Sequence, residues 1–238
     1  MSIIKSHNVT LYGGNNEYKI VLRPLSDEHL PYLYKWNSDP EVMYYTEGGN
    51  VKPYPPEIVH KKYGGMSQDN PCFAIEVNGK IIGECWLQKM NFPYVRAMYP
   101  EGTDVRRIDM SIGEKEYWGK GIGTLFIGML VKYAFEEEHV DVLHCFCEDY
   151  NVRSRRVWEK NGFKLVLTEE LLPTSTGKYE FHWRLTSEEY RDALKGKQTI
   201  AMNAFASMRE TTAQNGYMTE EEIEAEIAAA RKTNKGNK

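Results

Sequence analysis

The residues best placed to do chemistry in this 238-residue chain are glycines. In Trp118-Gly-Lys-Gly-Ile-Gly123-Thr124 three of them, at 119, 121 and 123, follow the β-type stretch Val105 to Ile112 and open the long amphipathic stretch Gly121 to His139. Strand, glycine loop and helix in that order bring backbone N–H groups together where the helix begins. Without Cβ atoms in the way an anion can approach them, so the loop reads as a phosphate or pyrophosphate site. It is not a P-loop, because Gly-Lys is followed by Gly121 rather than Ser or Thr, and glycines at these three positions do not fit G-x-G-x-x-G. Just upstream, Asp109 interrupts the apolar run Ile108 to Ile112. A carboxylate there is costly unless paired or facing a wet pocket. It is either a structural ion pair or a general base or anchor for an amine.

The elements that must position these groups follow from periodicity and punctuation. Tyr18 to Pro24 reads as a strand, and Ser26 as the cap of a helix ending near Trp36. Asn37 to Asn70 is punctuated by prolines and glycine pairs and is expected to be irregular, with a short helix over Pro56 to Tyr63. Cys72 to Val77 and Lys80 to Lys89 form a hairpin around Asn78-Gly79, in which Val77 pairs with Lys80 and Cys72 falls opposite Cys85. A loop over Asn91 to Asp104 leads into Val105 to Ile112. Asp141 to Cys147 is a strand, Asn151 to Asn161 a helix, and Phe163 to Leu167 and Lys178 to Leu185 are strands. The order gives a mixed α/β layer with a sheet covered on both faces, over residues 1–186. Residues 187–238 read differently: the capping boxes Thr186-Ser-Glu-Glu189 and Thr219-Glu-Glu-Glu222 open helices, the first ending at Gly196, a further helix spans Thr199 to Gln214, and no strand is expected. This tail has too few large apolar residues for a core of its own, so it must dock on the domain, pair with another chain, as a homodimer or with a protein partner through its helices, or stay partly mobile.

Composition narrows the function. Lys and Arg number 30 against 34 Asp and Glu, a net charge of -4, which leaves no basic field for nucleic acid. The longest apolar stretch is broken by Lys132 and is too short to span a membrane. Met1 to Asn8 lacks a basic segment followed by an apolar one, and a cytoplasmic location is expected. The cysteines at 72, 85, 145 and 147 make no C-x-x-C pair, and the histidines have no zinc spacing, so reduced core thiols and no metal are expected.

The loop resembles the acyl-CoA loop of the GNAT N-acetyltransferases, Arg/Gln-x-x-Gly-x-Gly/Ala, with Trp118 in the first position. About 30 residues on, Asn151-Val-Arg-Ser-Arg-Arg-Val-Trp-Glu-Lys-Asn-Gly-Phe163 resembles the family's Asn-x-x-Ala-x-x-x-Tyr-Glu-Lys-x-Gly-Phe segment. The resemblance covers roughly residues 18–185. It implies a mixed, mostly antiparallel sheet whose two central strands splay apart, helices on both faces, and acetyl-CoA as cosubstrate. It implies further that Ile112, Trp118, Gly119, Lys120, Gly121, Ile122, Gly123 and Thr124 bind the coenzyme, with main-chain N–H groups near Ile112 polarising the thioester. Trp158 replaces the tyrosine that protonates the thiolate in many relatives; it is either a wall for pantetheine or core filling. Asn151 either bonds the pantetheine amides or simply caps its helix, and Arg153, Arg155 and Arg156 read as a solvated face. The Asp-x-x-Ile-Gly text resembles the aminoglycoside 6'-N-acetyltransferase branch, where an aspartate on this strand contacts the amine. Trp36, Tyr44, Tyr45 and Tyr54, with Asp39, Glu41 and Glu47, fall where relatives shape the acceptor pocket. Acid and aromatic groups together suit a polycationic amino sugar of the antibiotic-resistance kind. Ser154-Arg-Arg with Trp158 also resembles the ribosomal-protein N-terminal acetyltransferases, and a non-catalytic acyl-CoA-binding module is the third alternative.

Overall fold

In a computed structural model of the protein, which describes residues 2–215, one sheet organises everything up to Tyr190. Its strands are β1 (Leu11–Gly14), β2 (Lys19–Pro24), β3 (Cys72–Val77), β4 (Lys80–Lys89), β5 (Val105–Ile112), β6 (Val142–Glu148), β7 (Lys164–Glu170) and β8 (Tyr179–Thr186), in the order β1-β2-β3-β4-β5-β6-β8-β7. Every pairing among the described residues is antiparallel except β5 with β6. That parallel pairing holds only for Val105, Arg106 and Arg107 against Val142, Leu143 and His144, and beyond it the two strands part.

Side chains alternate across the sheet, so each strand serves two layers. On one face Cys85, Leu87 and Ile108 pack against α5 (Ile122–Glu136), which buries Phe126, Ile127, Leu130 and Ala134. On the other, Trp86 and Ala74 meet α1 (Leu30–Ser38), α2 (Pro40–Thr46) and α3 (Pro56–Met66) through Leu33, Trp36, Val42, Val59 and Tyr63. Two further helices, α4 (Pro93–Arg96) and α6 (Val152–Lys160), complete this part of the chain. No helix among the described residues is long and apolar enough to cross a membrane.

Several expectations change. The Asn78-Gly79 turn forms as expected, with φ of 50° and 83°, the left-handed pair a two-residue hairpin needs. A bulge between Ile75 and Glu76 then shifts the register, so that Cys72 pairs with Trp86 and Cys85 with Phe73. All four cysteines are free and buried. The segment expected to be irregular holds α2: Asp39 accepts from the N–H groups of Glu41 and Val42, and Pro40 occupies the first turn, where its missing N–H costs nothing. Strand β1 and helix α4 also lie outside the expected elements. The last helix among the described residues, α7 (Ser187–Asn215), runs through Gly196 rather than ending there, because one interior glycine costs only about 1 kcal/mol and does not stop a helix by itself. From Arg191 the chain forms a second unit. The helix expected from Thr219 lies outside the described residues.

The box expected at Thr186 is present: the Thr186 N–H donates to Glu189 Oε2 at 2.9 Å, and the Glu189 N–H to Thr186 Oγ1 at 3.2 Å. Burial alone would raise the Glu189 pKa, but Lys164, the Thr186 N–H and Arg184 reverse this and hold it at about 2. A carboxylate depressed in the folded state stabilises above its unfolded pKa and loses that contribution as pH falls toward the folded value. Glu189→Gln is therefore expected to cost about 1–2 kcal/mol at pH 7, with the gap to wild type narrowing between pH 4.5 and pH 3. Urea titrations across this range test it, and a gap independent of pH would contradict it.

Candidate active site

The parting of β5 and β6 leaves alternate main-chain groups of β5 beyond Arg107 without a strand partner, facing an opening. Two cavities meet there, sharing Tyr45, Thr46, Met110, Ser111, Asn151 and Ser154 in their walls. The first, about 240 Å³, lies at the start of α5; the second, about 370 Å³, lies under β4 and β5 on the face that α1 to α3 cover.

The first cavity is lined by Ile112, Trp118, Gly119, Gly121, Ile122, Gly123, Thr124 and Asn151. Gly119 and Gly121 have φ of 75° and 78°, and nothing lies within 4 Å of where a Cβ would sit at either position. They give the loop its turn and leave the approach to the helix N-terminus open. The first N–H groups of α5 have no partner within the helix and carry the positive end of its dipole. Gly123 has another role: a Cβ there would lie 3.0 Å from Val157 of α6, so this glycine lets two helices pack. Lys120 is not in the wall; its ammonium lies 5.6 Å from the Tyr117 ring.

Two of the three cations of this cavity, Arg153 and Arg156, come from the run expected to be solvated. Arg153, Arg156 and Lys160 line it, and the Arg153 guanidinium lies 4.2 Å from the Tyr45 ring centre and 4.1 Å from that of Trp118. Trp118 is itself held by its indole N–H, which donates to the Ile112 carbonyl at 2.6 Å. Asn151 spends both ends of its amide within the protein, accepting from the Ser154 N–H and donating to the Tyr45 carbonyl at 3.1 Å. It thereby ties the end of α2 to the start of α6.

The second cavity is acidic. Glu47, Glu84, Asp109, Glu148 and Glu180 line it against Lys62 and Arg107. Glu148 and Glu180 stand directly opposite across β6 and β8, an arrangement that repels unless a cation lies between them. Asp109 Oδ2 accepts from Arg107 Nε and, at 2.9 Å, from Trp86 Nε1. Burial raises the Asp109 pKa, with Arg107 opposing it. Glu84, which nothing in the sequence reading singles out, is only 2% exposed, and burial pushes its pKa up to about 8. The signal for it was a lone acid inside Ile81-Ile82-Gly83-Glu84-Cys85-Trp86-Leu87.

The other residues expected at the acceptor divide between the cavities and places outside them. Trp36 is buried, donates to Glu114 at 3.0 Å, and lies flat on Gly113, where a Cβ would come within 2.0 Å of its ring. Tyr44 lines neither cavity; its ring meets that of Tyr45 edge-on and lies tilted against that of Tyr150. Asp39 and Glu41 hold Lys115. Tyr45 lines both cavities, and Tyr54 reaches the second through its bond to Glu47. Trp158 lines the second cavity but not the first; its N–H donates to Ser154 Oγ and its ring packs on Phe163.

The model of the acetyltransferase (GNAT) domain matches residues 19–164. An aminoglycoside N(6')-acetyltransferase type 1 of Klebsiella pneumoniae is 26% identical over 160 residues, 63% of this chain and 76% of that protein. Among solved structures, the aminoglycoside acetyltransferase AAC(6')-Ib in complex with coenzyme A superposes with a TM-score of 0.57 at 22% identity, covering 73% of this chain and 98% of that one. Mycobacterium smegmatis RimJ in complex with CoA-disulfide gives 0.62 at 16% identity, covering 76% and 89%.

The two glycines differ in what substitution would do. Gly121→Val, at a positive φ beside the helix N-terminus, is expected to weaken acetyl-CoA binding by about tenfold or more, because strain of about 1–2 kcal/mol deforms the loop. Gly123→Val is expected to lower the melting temperature through its clash with Val157. Calorimetric titration and thermal denaturation of both variants check this; unchanged coenzyme affinity in a folded Gly121→Val protein would contradict it.

Proposed function

The chain belongs to the GNAT acetyltransferase family, and from that premise we propose that the amine it acetylates belongs to a small polycationic acceptor of the aminoglycoside type. It is an acetyl-CoA-dependent N-acetyltransferase. The observation that carries the proposal is the junction of a cavity at the glycine loop with an acidic cavity holding five carboxyl groups and two cations. An amino sugar brings several ammonium groups to such walls. A peptide N-terminus, the second reading, brings one.

Acetyl-CoA, when bound, supplies the thioester. In this reading the N–H groups of residues 119–123 hold its pyrophosphate, with Arg153, Arg156 and Lys160 adding positive charge. The unpaired main-chain groups of β5 bond the pantetheine and polarise the carbonyl where negative charge develops. Asp109 fixes the acceptor amine: its Oδ2 is committed to Arg107 and Trp86, which hold the carboxylate in place, and the residue lines the acidic cavity. Holding amine and thioester in contact supplies much of the acceleration. Residues 1–186 carry this chemistry, and residues 187–238 serve self-association or a protein partner.

Thiol release with a panel of an aminoglycoside, spermidine and an N-terminal Ala or Ser peptide tests the acceptor, with the amino sugar expected to give the highest kcat/KM; turnover with the peptide alone would favour the second reading. Asp109→Asn is expected to lower kcat/KM by about 10²-fold or more while leaving acetyl-CoA affinity unchanged. An active Asn variant would return Asp109 to a structural role.

A further inference from the structure

Acetylation needs the acceptor nitrogen unprotonated, so some group must take a proton from the ammonium. Asp109 is poorly suited to that step. Its Oδ2 already accepts from Trp86 and from the Arg107 guanidinium, so it is paired with a permanent cation. Glu84 differs. Its Oε1 accepts from the Tyr63 hydroxyl at 3.2 Å, while its Oε2 is buried with no hydrogen-bond partner. The side chain lines the same acidic cavity as Asp109. A buried carboxyl oxygen left unsatisfied is costly, and a donor entering the cavity relieves that cost.

The sheet register brings the two carboxyl groups together. Glu84 stands opposite Ser111, and Trp86 opposite Asp109, so Glu84 and Asp109 are diagonal neighbours on one face of the β4–β5 pair. Such neighbours lie about 7–8 Å apart in the backbone, within reach of each other's side chains.

We propose that Glu84 is the proton acceptor of the reaction, its free Oε2 taking a proton from the acceptor ammonium that Asp109 holds. The inference rests on the amine-acetyltransferase reading given above. One N–H bond of the ammonium breaks and an O–H bond forms on Glu84. The freed nitrogen lone pair attacks the thioester carbonyl carbon, the C–S bond breaks, and sulfur leaves with the electron pair. The second proton lost by nitrogen passes to the thiolate, and Glu84 returns its own to solvent as the cavity empties. A carboxyl group displaced to about 8 by burial is matched to an amine far better than an ordinary glutamate. The groups around it are Lys62 and Tyr63 of α3, Glu47 beyond α2, Asp109 of β5 and Cys72 of β3. Lys62 favours the carboxylate, whereas Asp109 and Glu47 oppose it.

The test is the pH profile of kcat/KM for an amino sugar at saturating acetyl-CoA. In wild type it is expected to rise through an ionisation near pH 8. Glu84→Gln, which keeps an acceptor for Tyr63, is expected to lower kcat/KM at that pH by about 10²-fold and to abolish the rising limb, with acetyl-CoA affinity unchanged by calorimetry. Lys62→Met, which removes the charge favouring the carboxylate, is expected to move the limb to higher pH, and it serves if the Gln variant does not fold. A Glu84→Gln enzyme within threefold of wild type with the same limb, or an unmoved limb in Lys62→Met, overturns the assignment while leaving amine acetylation intact. A wild-type enzyme that acetylates no amine overturns both.

Discussion

The parting of β5 from β6 after Arg107 is the constraint on which the rest depends. A parallel pair inside a sheet normally continues, because unpaired main-chain groups shut away from water are costly. Here pairing stops after three residues on each strand, and the backbone beyond it is left to bond something else. Everything at the opening accommodates that gap. The glycine loop and the N-terminus of α5 stand at one end of it, and Asp109 and Glu84 stand on the strands that form its other wall. Asn151 and Tyr150 bind the carbonyls of Tyr45 and Tyr44, so the end of α2 closes over the junction.

Charge is arranged around the opening with the same economy. The first cavity has helix N–H groups and three cations, and the second has an excess of carboxyl groups. In the reading proposed above, this polarity draws an anionic coenzyme and a cationic acceptor to opposite ends of one gap. The cost of the acidic end is visible in the protein alone: Glu84 and Asp109 are displaced upward by burial, and Glu148 faces Glu180 across a strand pair. A cationic group placed among these carboxyl groups would lower that cost.

Local order made part of this legible in the sequence. The glycine loop, β5 and the Asn78-Gly79 turn depend on near neighbours, and spacing alone locates them. Helix α2 was obscured because Pro40 reads as a break, although Asp39 before it is a cap and proline belongs in a first turn. Tertiary packing hid the rest. Gly123 looks like its loop neighbours until α6 is seen against it, and Trp36 looks like a pocket aromatic until Gly113 is found beneath it. Arg153 reads as a solvated charge because nothing in its own helix places Tyr45 and Trp118 on either side of it. Glu84 is one acid in an apolar strand, and only the register that sets it diagonal to Asp109 distinguishes it from an edge-facing carboxylate.

Whether one gap between β5 and β6 receives both reactants, the coenzyme from the α5 end and the amine from the acidic end, is tested by a crystal structure of the full chain with coenzyme A and an amino sugar. The expected result is pyrophosphate on the N–H groups of residues 119–123, pantetheine along the unpaired edge of β5, and an acceptor amine between Glu84 and Asp109 facing the coenzyme sulfur. Coenzyme bound elsewhere, or an amine held away from both carboxyl groups, would contradict it.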